Sequence, residues 1–331
     1  VKGIPVVEQT PPFAIQMEPV EGCNLACAFC GIQSIRANGA HSVGMNHGRN
    51  SGPFKYMNID LATHIAKEIK RLSWNPRLEF AMHGEPTLNK DLPTIVWKFR
   101  HYLPRSYIMV TSNGGGLLKG NMLQELFDAG LNTFALDDYR HARIVPALRE
   151  KYPPGSVNGV QFIEYPENPE GNPHQRHRGK KLVWVKDISV STKGTHSHLS
   201  NHALNSGPPD ESYAKKRCAK PFRELAIRWN GDVALCCVDW PGHYKIANVG
   251  QMPLDELWNH KHFQAARRIL MHDGRAMIPC LGCNEAVNRP GLLPDKFGKE
   301  ELLAPTEATY RVAARAIEGD PFTPRVKEIY E

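Results

Sequence analysis

The sequence predicts an α/β protein built on a parallel sheet, with a smaller mixed domain after it. Three observations carry that reading. Six strand-like segments, most separated by helical ones, run through the first two-thirds of the chain, the pattern of βαβ units in an open sheet or a barrel. The conspicuous residues sit where those strands end: Cys23 after the first, Gly84 and Glu85 after the second, Ser112 and Asn113 after the third, Asp137 after the fourth. In barrels that end carries the chemistry. Beyond about residue 212 the style changes to short strands joined by Asn230–Gly231, a hairpin signal.

The elements follow in order. "FAIQMEPV" (13–20) reads as a buried strand ending at the first cysteine. Residues 31–58, rich in Gly, Asn, Ser and His, form a long loop, a length seen with functional or disordered segments. Its composition fits a mobile cover over a site. Asp60 is placed as the N-cap of a helix running to Leu72, with Leu61, Ile65, Ile69 and Leu72 on one face. "RLEFAM" (77–82) is a strand stopping at "HGEP", a helix covers 92–102, and "SYIMVTS" (106–112) is a strand closed by "NGGG". A helix over 119–129 ends at Gly130, "NTFALD" (132–137) is a strand, and 141–151 is a helix. "GVQFIEY" (159–165) and "KLVWVKDI" (181–188) complete the strands, while Pro166, Pro169 and Pro173 argue against a helix between them. After a polar stretch at 189–212 come "ELAIRW", "DVALCCV" and a helix from Leu254 to Met271. The expected division is 1–205, 206–290 and a partly helical tail at 291–331.

Composition narrows the class. The 331 residues are 41% hydrophobic and 23% charged, as in globular proteins. No window reaches 18 apolar residues, and "VKGIPVVEQTPPF" has no signal-peptide core; the expectation is a cytoplasmic protein with no membrane partner. The net charge of +7 is mild. Two basic runs, "HQRHRGKK" (174–181) and "YAKKRCAKPFR" (213–223), could meet an anionic substrate or nucleic acid. The histidines are scattered and none is assigned to a metal.

The eight cysteines fall in tight groups, which points to metal or redox chemistry rather than a secreted disulfide framework. Cys23, Cys27 and Cys30 have the spacing C-x3-C-x2-C. A closed structural zinc site wants four ligands; three thiolates on a [4Fe–4S] cluster leave one iron open to bind a substrate or cofactor. Cys218, Cys236 or Cys237, Cys280 and Cys283 supply a complete set of four, which suits a closed cluster or a zinc ribbon. Adjacent residues on a strand face opposite ways, so only one of Cys236 and Cys237 should reach the metal; Cys236 is taken as the ligand, with Cys237 the alternative.

Cys23, Cys27, Phe29 and Cys30 match C-x3-C-x-aromatic-C, and the chain here resembles the radical S-adenosylmethionine (SAM) superfamily. The resemblance covers residues 13–190 and implies a partial (β/α)6 TIM-like barrel. It implies a [4Fe–4S] cluster whose open iron chelates the amino and carboxylate groups of SAM, and reductive cleavage to a 5′-deoxyadenosyl radical that abstracts hydrogen from a C–H bond. Phe29 would lie beside the adenine. "HGEP" stands where the superfamily carries a Gly-Gly-Glu-like motif, so Gly84 and Glu85 would hold the SAM amino group, with His83 in place of the first glycine. "TSNG" makes Ser112 and Asn113 candidates for the ribose or carboxylate. "ALDD" resembles a strand end that would place Asp137 against the ribose or the substrate.

The stretch from Cys218 to Cys283, with "NGDV", "CC", "LDELWN" and C-x2-C, resembles the C-terminal extension of SPASM or twitch enzymes. Five cysteines there suit the shorter twitch form, a small α+β domain with one auxiliary [4Fe–4S] cluster. Trp229, Trp240 and Trp258 read as core. The resemblance implies dehydrogenation or other oxidation of a small, sugar-like molecule; the alternatives are modification of a nucleotide or DNA base, modification of a ribosomal peptide, and a non-enzymatic scaffold that binds SAM. A one-electron donor such as flavodoxin or ferredoxin would be the protein partner.

Overall fold

The computed structural model describes residues 10–25, 27, 30, 54–138, 144–157, 159–165, 181–187, 200–216 and 218–285. The expectations for Phe29, for the loop at 31–53, for nearly all of the basic run at 174–181 and for the tail at 291–331 lie outside these residues.

The architecture is α/β. Strands β1 (Ala14–Met17), β4 (Arg77–Phe80), β5 (Ile108–Ser112), β6 (Thr133–Asp138), β7 (Val160–Tyr165) and β8 (Lys181–Asp187) pair in parallel. The sheet runs in the order β1-β4-β5-β6-β8-β7. The sixth predicted strand therefore pairs with the fourth, and the fifth lies at the edge. Two short strands, β2 (Val20–Glu21) and β3 (Lys55–Tyr56), form a separate antiparallel pair beside the end of β1. Beyond β1 the sheet continues into β9 (Glu224–Ile227), which is parallel to β1, and then into antiparallel β10 (Asp232–Ala234) and β11 (Lys245–Asn248). The predicted hairpin thus extends the N-terminal sheet.

Side chains alternate across the sheet as the strand period requires. Ile15, Met17, Leu78, Phe80, Ile108, Val110, Phe134 and Leu136 are buried in the apolar core. They share that core with helices α1 (Ile59–Arg71), α2 (Leu92–Tyr102), α3 (Met122–Asp128) and α4 (Ile144–Lys151). The intervening residues Gln16, Glu79, Thr133 and Asp137 are also buried, and they are polar. Gln16 donates to Glu224 at 2.8 Å, Arg77 pairs with Glu79 at 2.9 Å, and Tyr107 bonds Thr133.

Three predicted boundaries shift for identifiable reasons. The N-cap of α1 is Asn58, whose Oδ1 accepts from Leu61 N at 2.7 Å; Asp60 instead lies in the first turn, where its charge complements the helix dipole. The helix expected from 119 starts at Met122, because Gly115–Leu118 close into a 3-10 turn first. The helix expected from Leu254 to Met271 is two: α6 (Leu254–Trp258) and α7 (Lys261–His272), with the short α5 (Lys220–Arg223) preceding β9. Arg267, 1% exposed, donates to Trp258 O at 2.8 Å and packs over the Trp258 ring at 4.1 Å. The carbonyl that would extend the first helix therefore has another donor, and the break is satisfied.

Arg100 fastens the far end of the sheet. Its guanidinium donates to Gly130 O (2.9 and 3.0 Å), Pro104 O (2.8 Å), Ser106 O (2.9 Å) and Asn132 Oδ1 (2.6 Å). Gly130 ends α3 with φ +99, and a Cβ there would fall 2.5 Å from Arg100 Cγ. Arg100→Ala leaves the part-buried bonds to Gly130 O and Ser106 O unmade, and we expect a loss of about 1–3 kcal/mol of unfolding free energy. Urea denaturation measures it; a change below about 0.5 kcal/mol, the level of a neutral surface substitution, would contradict this account.

Candidate SAM and cluster site

The C-terminal ends of β1, β4, β5 and β6 are neighbours in the sheet, so the predicted residues converge. A cavity of about 210 Å³ is lined by Cys23, Cys27, Cys30, Gly84, Glu85, Ser112, Asn113 and Asp137. These are all the predicted residues of the N-terminal site except Phe29. Asp137 extends from the end of β6, and Ser112 ends β5.

The loop after β4 is held against the loop after β1. Glu85 N donates to Gly22 O at 2.9 Å. The approach is so close that a Cβ on Gly84 would sit 2.0 Å from Val20 O and 2.5 Å from Gly22 O, so only glycine fits. Glu85 is 2% exposed. Its carboxylate accepts from Ser112 Oγ (2.5 Å), Thr87 Oγ1 (2.5 Å), Thr87 N (3.0 Å) and Asn113 N (2.8 Å). Burial pushes its carboxyl up, and these donors oppose the shift. Glu85, Ser112 and Asn113, read from the sequence as separate contacts, are therefore one bonded unit that joins the ends of β4 and β5. Asn113 reaches the cysteines from that unit: its Nδ2 lies 2.9 Å from Asn24 Oδ1 and 3.6 Å from Cys23 Sγ.

Burial pushes the Cys23 thiol up to about 12, with Glu85, Cys30 and Cys27 adding to the effect and the Leu25 N–H opposing it. Cluster binding must therefore drive off its proton, as metal binding does generally. Among the described residues no group of three or more His, Cys, Asp or Glu converges to hold a single ion. Three thiols on one short loop lining a shared cavity form a soft donor set suited to an iron–sulfur cluster.

His202 and Trp240, which the sequence did not mark as site residues, also line this cavity. Their rings stack at 5.2 Å and 24°. Trp240, expected to be core, is 7% exposed and forms cavity wall; Trp258 is core, and Trp229 donates its indole N–H to Glu21 at 3.2 Å. His202 (φ +44), Ala203 (+54) and Leu204 (+69) form a run of left-handed non-glycine residues, a strained geometry that clusters at functional sites. It is held by Asn201, which donates to Gly282 O (2.7 Å) and Pro208 O (2.8 Å), and by Asn205, which donates to Val238 O (2.8 Å). Burial pushes the His202 imidazole down.

His83 joins the two halves of the chain. Its Nε2 faces Cys237 O at 2.9 Å and its Nδ1 faces Glu18 Oε1 at 2.6 Å. Glu18 is fully buried; burial pushes its carboxyl up, but His83, Arg228 and the Trp229 N–H outweigh that and hold it below the usual range.

Cys218, Cys236, Cys280 and Cys283 line a second pocket, together with Lys220, Arg275 and Glu285. Cys237 does not line it; instead it accepts from Lys220 Nζ at 3.4 Å. Burial pushes Cys218 up to about 11. The open volume of this pocket is about 10 Å³. Of the basic run at 213–223, Lys220 and Arg223 are 6% and 8% exposed and point inward, which removes them from any surface patch for nucleic acid.

The comparisons agree with this layout. Residues 17–137 match the family model described as the radical SAM superfamily, and 218–284 match that of an iron–sulfur cluster-binding domain, SPASM. The chain belongs to the radical SAM superfamily, and it carries a SPASM-type domain. It is a radical SAM enzyme that works with SAM and [4Fe–4S] clusters. Among curated proteins it is similar to S-adenosyl-L-methionine-dependent 2-deoxy-scyllo-inosamine dehydrogenase of Niallia circulans, 22% identical over 272 residues that cover 82% of this chain and 92% of that one. Among solved structures it shares the fold of BtrN in complex with AdoMet and 2-DOIA (21% identity, 84% of this chain and 95% of that one, TM-score 0.59). The open conformation of BtrN matches with TM-score 0.55, 19% identity and coverage of 83% and 93%. No helix of the described residues is long and apolar enough to cross a membrane.

Glu85→Gln turns an NH2 donor toward groups that already donate. We expect the anaerobic protein to lose about 1–3 kcal/mol of stability and to bind SAM more weakly by equilibrium dialysis. Weakened SAM binding with an unchanged denaturation midpoint would show that the carboxylate serves SAM alone.

Proposed function

We propose that the protein dehydrogenates a hydroxyl-bearing carbon of a small, sugar-like molecule. The observation that carries this reading is one cavity with two kinds of wall. Three cysteines with Glu85, Ser112 and Asn113 form one side, and His202 with Trp240, beside the second cysteine pocket, form the other. We assign Cys23, Cys27 and Cys30 to the SAM-side cluster, and Cys218, Cys236, Cys280 and Cys283 to the auxiliary cluster. When bound, SAM and its cluster supply the radical that abstracts hydrogen from the substrate carbon. The chain's own residues bind and orient. Gly84, Glu85, Ser112 and Asn113 shape the SAM side, with Phe29 proposed beside the adenine. Asp137 offers a carboxylate to a hydroxyl, Trp240 offers a flat apolar face to a ring, and His202 takes up the hydroxyl proton, while the remaining electron would pass to the auxiliary cluster.

The similarity to 2-deoxy-scyllo-inosamine dehydrogenase supports this substrate class. The inward turn of Lys220 and Arg223 weighs against a nucleic-acid substrate. The division into a SAM-binding part (1–205), a cluster domain (206–290) and a tail (291–331) is kept on the same grounds. Flavodoxin or ferredoxin is the proposed electron donor, in the reducing cytoplasm where thiols persist.

Candidate cyclitols and amino sugars deuterated at each carbinol carbon test the reading. A substrate should pass one deuterium into 5′-deoxyadenosine and yield a ketone; deuterium transfer accompanied by a crosslinked peptide or altered base would overturn it. In Cys23→Ala we expect no SAM cleavage. In Cys280→Ala we expect SAM cleavage to persist in part while the ketone is lost, and full ketone formation by this variant would contradict a required second cluster.

A further inference from the structure

The second pocket contains more than thiols. Lys220 lies two residues after Cys218, at the start of α5, so the chain delivers a cation with a thiol. Its side chain lines the pocket and is almost wholly buried. Its ammonium stands 3.4 Å from Cys237 Sγ, 3.6 Å from Glu285 Oε1 and 3.7 Å from Glu224 Oε2. None of these contacts is short for a charged pair. Glu224 also has a closer partner in Gln16, at 2.8 Å. Pairing with one carboxylate therefore does not account for the lysine, and a buried ion is a poor source of stability.

The ammonium is enclosed in the pocket that the four thiols line, with Glu224 and Glu285 as the carboxylates facing it. On another side of the pocket, Arg275, 2% exposed, donates to Cys283 O at 2.6 Å and Glu285 O at 2.8 Å.

A cluster gains one negative charge on reduction. A fixed buried cation stabilises that state more than the oxidised one, and local charge and hydrogen bonding to sulfur are recognised determinants of cluster potential. We propose that Lys220 sets the reduction potential of the auxiliary cluster, keeping it high enough for that cluster to act as an electron acceptor. This rests on the reading that Cys218, Cys236, Cys280 and Cys283 hold such a cluster. Cys237, beside the ligand Cys236 but turned to Lys220, anchors the ammonium.

The test uses the full chain reconstituted anaerobically with iron and sulfide, as wild type, Lys220→Met, Lys220→Arg and Glu285→Gln. Iron and sulfide are counted, and an EPR-monitored redox titration gives the midpoint of each cluster. In Lys220→Met the auxiliary midpoint should move to more negative potential, with the SAM-side midpoint unmoved. Lys220→Arg should restore it, and Glu285→Gln should shift it the opposite way. A fully loaded Lys220→Met protein with the wild-type midpoint overturns the proposal. If Lys220→Met fails to load the second cluster, Glu285→Gln decides: a more positive midpoint supports the proposal, and an unmoved one overturns it. Wild-type iron and sulfide sufficient for only one cluster would instead overturn the underlying reading of the four cysteines.

Discussion

The contact between Glu18 and His83 organises this molecule. Glu18 follows β1 and His83 follows β4, and their side chains meet at 2.6 Å with neither exposed. The other His83 nitrogen holds the carbonyl of Cys237, from the segment after β10. One imidazole therefore fixes the loop that carries Gly84 and Glu85 and binds the C-terminal half to it. Arg228 and the Trp229 N–H complete the shell around Glu18, and Arg228 continues to Glu21 at 2.7 Å. Removing one member of such a buried set leaves an uncompensated group at a cost on the order of 3–5 kcal/mol. A glycine in place of His83 could make neither contact.

Around this joint the two cysteine groups receive different surroundings. The first lines a cavity at the ends of four adjacent strands, with the Glu85–Ser112–Asn113 unit supporting it and His202 and Trp240 opposite. The second lies in a tighter pocket carrying two buried cations, Lys220 and Arg275. Three thiols with space beside them suit a centre that must admit another molecule; four thiols in a closed, positively charged pocket suit a centre that exchanges electrons only. The strained turn at His202–Leu204 lies between the two, since His202 lines the first cavity and Ala203 the second.

Much of this was legible in the sequence because it rests on local pattern. Strand ends are marked by a switch from apolar runs to Cys, Gly or Asn, so Cys23, Gly84, Glu85, Ser112, Asn113 and Asp137 could be found one segment at a time. The four cysteines of the second group were marked by their grouping, and the choice of Cys236 over Cys237 agrees with which side chain lines the pocket. What was hidden depends on long-range pairing. No local signal says that β8 rather than β7 lies beside β6, or that β9 pairs with β1. His202 stood in a polar stretch without periodicity, and its place follows only from bonds to residues 282–284 and 238. Lys220 and Arg223 read as part of a basic run because sequence counts charge without seeing burial. Asn58 captured the cap expected of Asp60 because both residue types suit that position and only geometry chooses.

The central claim is that the chain holds two iron–sulfur centres of unlike kind, one open to SAM and one closed. Mössbauer spectroscopy of protein reconstituted with 57Fe, before and after SAM is added, reads this directly. The account predicts two [4Fe–4S] clusters per chain, with a single iron of one cluster perturbed by SAM and the other cluster unchanged. A single cluster, or spectra that SAM leaves unaltered, would contradict it.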